Sequence, residues 1–335
     1  LFDGSSPGAG KTFDWSLLKN IQKTDKLLFL AGGLTPENAA QAVKTVAPDV
    51  VDVSSGVEKD VSPCAAFAGK DAEKITKFSC LTLFLSKAKQ KSAEILRSLA
   101  PKLEQESLIL IAGSNDGGGK SADGLLKECG EPYKVDTARK CTLFAVKPAS
   151  PFSPLKACPD ICYENLQLKQ KYGVFSQGRV DEGTSLLLKN LPQNLNGLKA
   201  LDLGCGCGII GLYLAKKGAN VTFSDISAEA LFLAELNAKE NGLKESCEFK
   251  ASFMLDDAPS FDVIATNPPF HEGIKKAEKV TLEMIKEAPN HLNKGGALYL
   301  VGNSFLNYGP TLEDAFEKVT VIESNKRFTV FKAEN

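Results

Sequence analysis

Lys199-Ala-Leu-Asp-Leu-Gly-Cys-Gly-Cys-Gly208 combines a short apolar strand with a glycine-rich turn, and the run to Ala215 continues with the apolar spacing of a helix. Gly204, Gly206 and Gly208 allow a sharp turn and a close approach to a ligand, because glycine has no Cβ. The helix start adds free N–H groups and a positive dipole end, which suits a carboxylate or a phosphate. This order of elements predicts an open α/β sheet that binds a nucleotide-like cofactor.

Two acidic residues indicate the kind of cofactor. Asp225 ends a second predicted strand, Asn220-Val-Thr-Phe-Ser-Asp225, at the position where Rossmann-type folds hold ribose hydroxyls. Asp202 precedes the turn, whose spacing is G-x-G-x-G and not the G-x-G-x-x-G of dinucleotide sites. Asp202 would repel a pyrophosphate, but it can accept a hydrogen bond from an ammonium group or attract a sulfonium. The turn therefore favours S-adenosylmethionine.

The motif Asn267-Pro-Pro-Phe270 follows a third buried run, Phe261 to Thr266, at the strand end where open α/β sheets bind ligands. An exocyclic amine on a purine is a poor nucleophile, because its lone pair is delocalised into the ring. The Asn267 amide oxygen and the Pro268 carbonyl can each accept one N–H, which turns the lone pair toward the methyl donor and stabilises the developing charge. The prolines fix φ, and Phe270 offers a ring for stacking. The motif predicts an amino-group methyltransferase.

From about Ser79 to the C-terminus, the chain resembles the ribosomal RNA small-subunit guanine-N2 methyltransferase C family. The matching stretches, besides the two motifs above, are Lys134 to Cys141, Phe175 to Gly183, His271 to Gly273, His291 to Gly296 and Gly302-Asn-Ser-Phe-Leu-Asn-Tyr308. The resemblance implies methylation of the N2 amine of a guanine, with ribosomal RNA or a ribosomal subunit as partner. A sister family modifies the large subunit with the same motifs. A large-subunit guanine, or another amino group, therefore remains an alternative substrate.

The resemblance also extends the expected site. In the family pattern Phe175, Asp181 and Gly183 line the cofactor or target-base pocket, although Asp181 can equally cap the helix that follows. Ser252 and Phe253 are expected near the adenine, although Phe253 suits core packing as well. The expected cofactor contacts are Asp202, Gly204, Gly206, Gly208, Asp225, Ser252, Phe253, Asp181 and Gly183. The expected substrate contacts are Phe175, Arg179, Pro269 and His271, beside the catalytic Asn267, Pro268 and Phe270.

The first 78 residues resemble the closing segments of phosphoribosylanthranilate isomerase. Gly32, Gly33, Ser55 and Gly56 match that family's phosphate loops, and Asp3 matches its catalytic acid. The earlier strands and the family's catalytic cysteine are missing, and a (β/α)₈ barrel needs about 250 residues. We therefore expect an incomplete barrel without isomerase activity. Because the chain begins at Leu1 and not at Met, we expect it to come from a longer fusion, and an inactive fragment of such a fusion is a further alternative.

Composition is that of a globular protein: 335 residues, 43% hydrophobic and 24% charged, with nine cysteines. No apolar run reaches membrane length and no secretory leader is visible, so we expect a cytoplasmic protein, with organelle targeting left open. The cysteines are expected to be reduced thiols. Cys158 and Cys162 have poor zinc spacing, and the histidines are His271 and His291, so no metal is expected.

The net charge of −1 is low for an enzyme that acts on RNA, which usually carries a basic face. The cations near the proposed pocket are Lys169, Lys171, Arg179, Lys275, Lys276 and Lys279, which can hold phosphates or simply form solvated faces. The sequence indicates no oligomeric state.

Four regions are expected. They are an isomerase-like remnant over 1–78, a smaller α/β domain for substrate binding or structure over 79–147, a proline-rich linker over 148–165, and a Rossmann-like methyltransferase sheet over 166–335. The last sheet is expected to end in an antiparallel pair, Val319 to Ser324 and Phe328 to Lys332, because the connection is too short for a helical crossover. The expected fold class is α/β, with an incomplete barrel tail at the amino terminus.

Overall fold

The computed structural model describes residues 15, 29–30, 41, 44–46, 50–51, 77–86, 88–175, 178–268 and 274–335, with only the backbone for 29–30, 50–51, 78 and 274–277. The chain divides into two compact units, Leu1–Ala66 and Phe67–Asn335. In the first unit, strands β1 (Phe29–Leu30) and β2 (Val50–Val51) pair in parallel. A parallel pair needs a crossover connection, as between successive strands of a (β/α) barrel. The isomerase-like positions Asp3, Gly32, Gly33, Ser55 and Gly56 lie outside the described residues.

The second unit begins with a four-stranded sheet. Its elements are β3 (Phe78–Phe84), α1 (Lys89–Leu99), β4 (Leu103–Ser114), β5 (Tyr133–Ala138) and β6 (Cys141–Val146), with 3₁₀ turns at Ala100–Lys102, Asn115–Gly117 and Gly119–Leu125. The strand order is β3-β4-β6-β5, and β3 pairs in parallel with β4 because α1 forms the crossover. Ala93, Leu96 and Leu99 recur every three residues, so α1 buries one stripe against this sheet.

The larger sheet follows residues 147–160, which form no helix or strand. Its elements are the hairpin β7 (Ile161–Tyr163) and β8 (Leu166–Leu168), then α2 (Glu182–Asn190), β9 (Lys199–Leu203), α3 (Ile209–Lys216), β10 (Asn220–Asp225), α4 (Ala228–Glu240), β11 (Cys247–Ala251), β12 (Phe261–Thr266), α5 (Ile274–Glu287), β13 (Leu292–Asn303), α6 (Gly309–Ala315), β14 (Lys318–Ser324) and β15 (Phe328–Glu334), with 3₁₀ turns at Lys244–Ser246 and Ala288–His291.

The strand order of the larger sheet is β11-β10-β9-β12-β13-β15-β14. The chain runs outward from β9 to β11 and then returns to β12 on the other side of β9. The carboxyl ends of β9 and β12 therefore form the switch point at which open α/β sheets bind ligands. The expected antiparallel closing pair is confirmed, and β15 is inserted between β13 and β14.

Helices cover both faces of this sheet. Alternate residues of each strand enter different cores, as the two-residue period of a strand requires. Along β9, Ala200 packs with α2, α3 and α4, whereas Leu201 and Leu203 pack with α5 and α6. Because both faces are covered, the central strands are apolar almost throughout, which explains why they are recognisable in the sequence.

A buried carboxylate connects α4 to the smaller sheet. Glu229 accepts hydrogen bonds from Lys91 of α1 at 2.5 Å and from Lys171 at 3.0 Å. Burial alone would raise the pKa of Glu229, but the hydrogen bonds and charges of the two lysines outweigh it and lower that pKa. The Lys91 stem also covers Gly173, where an added Cβ would lie 2.5 Å from Lys91 Cδ. The two sheets are therefore joined beside α4 by charge and by close packing.

We predict that Glu229→Gln lowers the free energy of unfolding by about 1–3 kcal/mol, because both lysines lose their charged acceptor. The control is Glu235→Gln on the same helix, where a half-buried carboxylate, 38% exposed against 10% for Glu229, pairs with Lys239 and Lys244 and the expected loss is about 0–1 kcal/mol. Urea denaturation measures both.

The pH dependence follows from the lowered pKa of Glu229. A carboxylate with a lowered folded pKa stabilises the protein above its unfolded pKa, and this contribution is lost as the pH falls through the folded value. The difference between the wild type and Glu229→Gln should therefore shrink below about pH 4. Equal losses in the Glu229 and Glu235 variants at neutral pH would contradict this account.

Candidate active site

A cavity of about 580 Å³ lies at the carboxyl ends of β9 to β12. Small-molecule sites have volumes of roughly 300–1,000 Å³, so it can hold a cofactor. Most of its wall comes from the segments that follow the four strands, and the remainder from 173–175, α4 and α5. The lining residues are Gly173, Val174, Phe175, Leu203, Gly204, Gly206, Ser224, Asp225, Ile226, Ser227, Ala230, Ser252, Phe253, Met254, Asn267 and Val280.

The three glycines of the turn have positive φ, at +73° for Gly204, +54° for Gly206 and +87° for Gly208. A Cβ at Gly204 would meet nothing within 4 Å, and one at Gly206 would meet only the Phe175 Cβ at 3.9 Å, so both face the cavity. A Cβ at Gly208 would lie 2.9 Å from the Ala234 Cβ. Gly204 and Gly206 leave room for a ligand, whereas Gly208 allows α3 to pack against α4.

The turn is fixed from outside by backbone and side-chain bonds. Gly204 N and Cys205 N donate to the Ser224 carbonyl at 2.8 and 3.0 Å. The buried side-chain amide of Asn237 donates to the Cys207 carbonyl at 2.9 Å. It also donates to the carbonyl of Lys169, the residue after β8, and accepts a hydrogen bond from the N–H of the same residue. The β7–β8 hairpin, α4 and the turn are therefore held as one assembly.

Asp225 lies at the expected position, at the end of β10 and in the cavity wall. Its two oxygens accept hydrogen bonds from Gly206 N at 3.0 Å and Ser227 N at 2.8 Å. Burial raises the pKa of Asp225, and these bonds oppose the rise. A carboxylate oxygen can accept more than one hydrogen bond, so Asp225 can hold the turn and still accept from hydroxyl groups.

Asp202 is fully buried and does not line the cavity. Its Oδ2 accepts from Gly211 N, in the first turn of α3, at 2.7 Å. Burial raises the pKa of Asp202 to about 7, with the Gly211 bond opposing the rise and the charge of Asp225 adding to it. The Asp202 Oδ1 and Ser224 Oγ atoms are buried and have no hydrogen-bond partner among the described residues. Polar atoms left unpaired around this turn fit a cofactor that supplies N–H and O–H groups.

Two exposed apolar side chains form the outer end of the cavity, Ile226 after β10 and Phe253 after β11. Ser252 fixes the Phe253 loop, since its Oγ donates to the Asp256 carbonyl at 2.9 Å and its N–H to the Asp225 carbonyl at 3.2 Å. Phe253 therefore faces the cavity and is not a core residue. Sequence reasoning missed Ile226, although an apolar residue between Asp225 and the helix cap Ser227 fits neither the strand nor the helix pattern.

Asn267 follows β12 and lines the cavity. Its Nδ2 donates to Asp181 Oδ2 at 3.1 Å and to Thr184 Oγ1 at 2.8 Å. Its Oδ1 is buried and has no partner in the described part of the chain. Because both amide hydrogens are used, the orientation of the amide is fixed and its oxygen remains as the acceptor.

Asp181 and Gly183 are close to this site but do not line the cavity. Asp181 caps α2 by accepting from Thr184 N at 3.1 Å, so the capping interpretation applies and the same carboxylate also holds Asn267. Gly183 is a packing residue, because its Cβ would lie 2.9 Å from the Phe328 ring. Sequence reasoning missed Thr184. The one sequence feature that could have pointed to its role is a hydroxyl among the apolar residues on the buried side of α2.

The other expected site residues have different positions. Phe175 lines the cavity. Pro268 is buried and Arg179 is exposed, and neither of them lines the cavity. Pro269, Phe270 and His271 lie outside the described residues. Among the expected cations, Lys169 pairs with Asp160, Lys171 with Glu229 and Lys279 with Glu283.

Within the described segments, no group of three or more His, Cys, Asp or Glu side chains is placed to hold a metal ion. In the same segments, none of the helices has the length and apolar character needed to cross a bilayer.

The sheet order, the glycine turn and the acid that ends β10 define a Rossmann-like methyltransferase. The model of the methyltransferase small domain family matches residues 165–332. The model of the N-(5'-phosphoribosyl)anthranilate isomerase family matches residues 1–79, which supports the expected origin of the amino-terminal segment.

Relatives identify the family. The chain is 37% identical to the ribosomal RNA small subunit methyltransferase C of Hahella chejuensis, over 76% of each chain. It is 33% identical to the protein of that name from Vibrio vulnificus, over 81% of this chain and 82% of the relative. The chain belongs to the ribosomal RNA small subunit methyltransferase C family, as expected.

A solved structure supports the fold. The T. thermophilus 16S rRNA N2 G1207 methyltransferase, in complex with AdoMet and guanosine, superposes with a TM-score of 0.66. It covers 92% of this chain and 82% of its own at 22% identity, so it bears on the fold alone.

We predict that Gly204→Ala and Gly197→Ala lower stability similarly but affect cofactor binding differently. Gly197 has φ +76°, Gly204 has φ +73°, and an added Cβ meets nothing within 4 Å at either. Each variant should therefore lose about 1–2 kcal/mol to backbone strain. Because only Gly204 faces the cavity, only its variant should bind S-adenosylmethionine more weakly, by about tenfold or more, which is about 1.4 kcal/mol. Calorimetric titration measures the Kd, and equal values for the two variants would show that the turn does not contact the cofactor.

Proposed function

We propose that this protein transfers a methyl group from S-adenosylmethionine to the exocyclic N2 amine of a guanine in ribosomal RNA of the small subunit. The observation that carries the proposal is the Asn267 amide, whose oxygen is left without a partner among the described residues while its nitrogen is fixed by Asp181 and Thr184. Membership of the ribosomal RNA small subunit methyltransferase C family supports it. The T. thermophilus structure supports the fold that this function requires.

The cofactor would be held by the wall of the cavity. Gly204 and Gly206 let it approach the backbone, Asp225 accepts from its ribose, and Ile226 and Phe253 enclose its flat ring. Asp202 lies behind the wall, and we assign it to holding the turn and the first turn of α3 rather than to a direct contact with the cofactor. S-adenosylmethionine supplies the electrophilic methyl group when it is bound.

Asn267 acts on the amine that receives the methyl group. Its Oδ1 accepts one N–H of the guanine amine and the Pro268 carbonyl accepts the other. These bonds turn the nitrogen lone pair toward the methyl donor and stabilise the positive charge that develops on nitrogen. From the sequence motif and the family pattern, we propose Phe270 as the ring on which the base stacks and Phe175, Arg179, Pro269 and His271 as further contacts. No strong base is required, because the product amine can lose its proton to water.

The proposed function also suggests a role for each region of the chain. We assign residues 79–147 to substrate binding or structure, 148–165 to a linker, and 166–335 to catalysis, with 1–78 as an isomerase-like remnant. Ribosomal RNA or an assembled subunit is the partner, and the site of action is the cytoplasm.

The reaction is tested with labelled S-adenosylmethionine and undermethylated small and large ribosomal subunits, followed by digestion to nucleosides. We predict label in N2-methylguanosine from the small subunit. Label in N2-methylguanosine from the large subunit would show that the substrate is a guanine of the large subunit. Label in another nucleoside or in protein would overturn guanine as the target, and no label with intact donor binding would indicate an inactive protein.

We predict that Asn267→Ala lowers kcat by about 10²–10³-fold, as the loss of an oriented acceptor in a transition state does. Thr184→Val keeps the shape of the side chain but removes one of the two bonds that orient the amide, and it should lower kcat by about tenfold. Neither change should alter the Kd for S-adenosylmethionine by more than about twofold. Ser185→Ala is the control, because it removes the hydroxyl of the next residue of α2. Both Nδ2 hydrogens of Asn267 are already taken by Asp181 and Thr184, so kcat should not change. A wild-type kcat in Asn267→Ala would remove Asn267 from the mechanism.

A further inference from the structure

Phe305 is an exposed aromatic side chain that the mechanism above does not use. It is 71% exposed, the largest value among the exposed large hydrophobic side chains of the described residues. A single exposed apolar residue is common and needs no explanation by itself. Phe305 differs from an ordinary exposed apolar residue in three ways: its backbone is held by hydrogen bonds, two cations lie in the adjacent turn, and it lies at the same edge of the sheet as Asn267.

The turn that carries Phe305 is held on both sides. Ser304 N donates to the Arg327 carbonyl at 2.9 Å, and Ser304 Oγ donates to the Asn325 carbonyl at 3.0 Å. Leu306 N donates back to the Asn303 carbonyl at 2.8 Å, and the Leu306 side chain is buried. With Ser304 tied to the β14–β15 turn and Leu306 anchored in the core, Phe305 is held outward in a defined position.

Two cations lie in the turn that is bonded to Ser304, the residue before Phe305. Lys326 and Arg327 belong to the β14–β15 turn that binds Ser304, and both are exposed. The Arg327 guanidinium pairs with Glu182 at 2.6 Å. We call Phe305, Lys326 and Arg327 the rim patch. Aromatic rings beside cations are the combination with which proteins bind single-stranded nucleic acid.

The rim patch lies at the catalytic edge of the sheet. β12 and β13 run in parallel with Thr266 opposite Leu300, so the segments that follow them, which carry Asn267 and Phe305, leave the same edge. Glu182, the partner of Arg327, directly follows Asp181, which binds Asn267. The patch therefore borders the place where a target base would enter.

We propose that the rim patch binds the RNA strand beside the target guanine, with Phe305 stacked on a neighbouring base and Lys326 and Arg327 held near phosphates. The proposal rests on the proposed function. Since the net charge of the chain is only −1, an aromatic contact together with two local cations can contribute affinity that the overall charge does not.

Phe305→Ala tests the stacking. We expect KM for undermethylated small subunits to rise about five- to hundredfold, with kcat and the Kd for S-adenosylmethionine within about twofold of the wild type. Phe305→Trp should restore the wild-type KM, because a larger ring also stacks. Phe232→Ala is the control, since Phe232 is an exposed phenylalanine on α4 that belongs to neither the cavity wall nor the patch.

Lys326→Ala tests the phosphate contact. The slope of log Kd against log salt for a protein-free single-stranded RNA oligonucleotide should decrease by about 0.7 in this variant. The same oligonucleotide should bind more weakly to Phe305→Ala than to Phe232→Ala. Fluorescence anisotropy measures both effects without turnover.

The outcomes separate this proposal from the function on which it rests. If the wild type transfers no methyl group to either ribosomal subunit, the proposed function fails. If the wild type is active but Phe305→Ala keeps its KM and its oligonucleotide affinity, the rim patch proposal is overturned and the function stands. A raised KM on subunits with unchanged oligonucleotide binding would assign the patch to a ribosomal protein, and it too would overturn the proposal.

Discussion

The side-chain amide of Asn267 is held through its nitrogen by Asp181 and Thr184, and the chemistry assigned to this protein depends on that constraint. An amide that could rotate would present N–H donors to an amine that itself needs acceptors. The constraint is built from several elements, because Asp181 also caps α2 and Gly183 lets α2 approach Phe328 on β15. The closing antiparallel strand therefore supports Asn267, the side chain that we propose to be catalytic.

On the cofactor side of the site, residues of the same type have different roles. Gly204 and Gly206 face the cavity, whereas Gly208 serves the contact between α3 and α4. Asp225 lies in the wall, whereas Asp202 lies beneath the turn and holds the first turn of α3. Ser224, Asp225 and Asn237 bond four residues of the turn, Gly204 to Cys207, so the turn is held by the protein itself and little binding energy is needed to order it.

Much of the fold was predictable, because strands buried on both faces are apolar throughout and the glycine turn interrupts them at a recognisable place. The antiparallel closing pair followed from the length of one connection. The positions of Asp202 and Gly208 behind the cavity wall were not predictable, since spacing along the chain does not show which side of a turn faces a ligand. The hydrogen bond that Asn267 donates to Thr184 joins residues 83 positions apart, and no local sequence pattern contains it. Ile226 was overlooked because its place in the cavity wall depends on how the segments after neighbouring strands come together, which the sequence around it does not show.

A double-mutant cycle between Thr184→Val and Asn267→Ala, measured on kcat under saturating cofactor and RNA, tests the central claim most directly. If Thr184 acts only by orienting the Asn267 amide, its removal should have no further effect once Asn267 is alanine, and the coupling energy should equal the whole effect of Thr184→Val. Additive effects of the two substitutions would contradict the account, because Thr184 would then contribute to catalysis by a route that does not pass through Asn267.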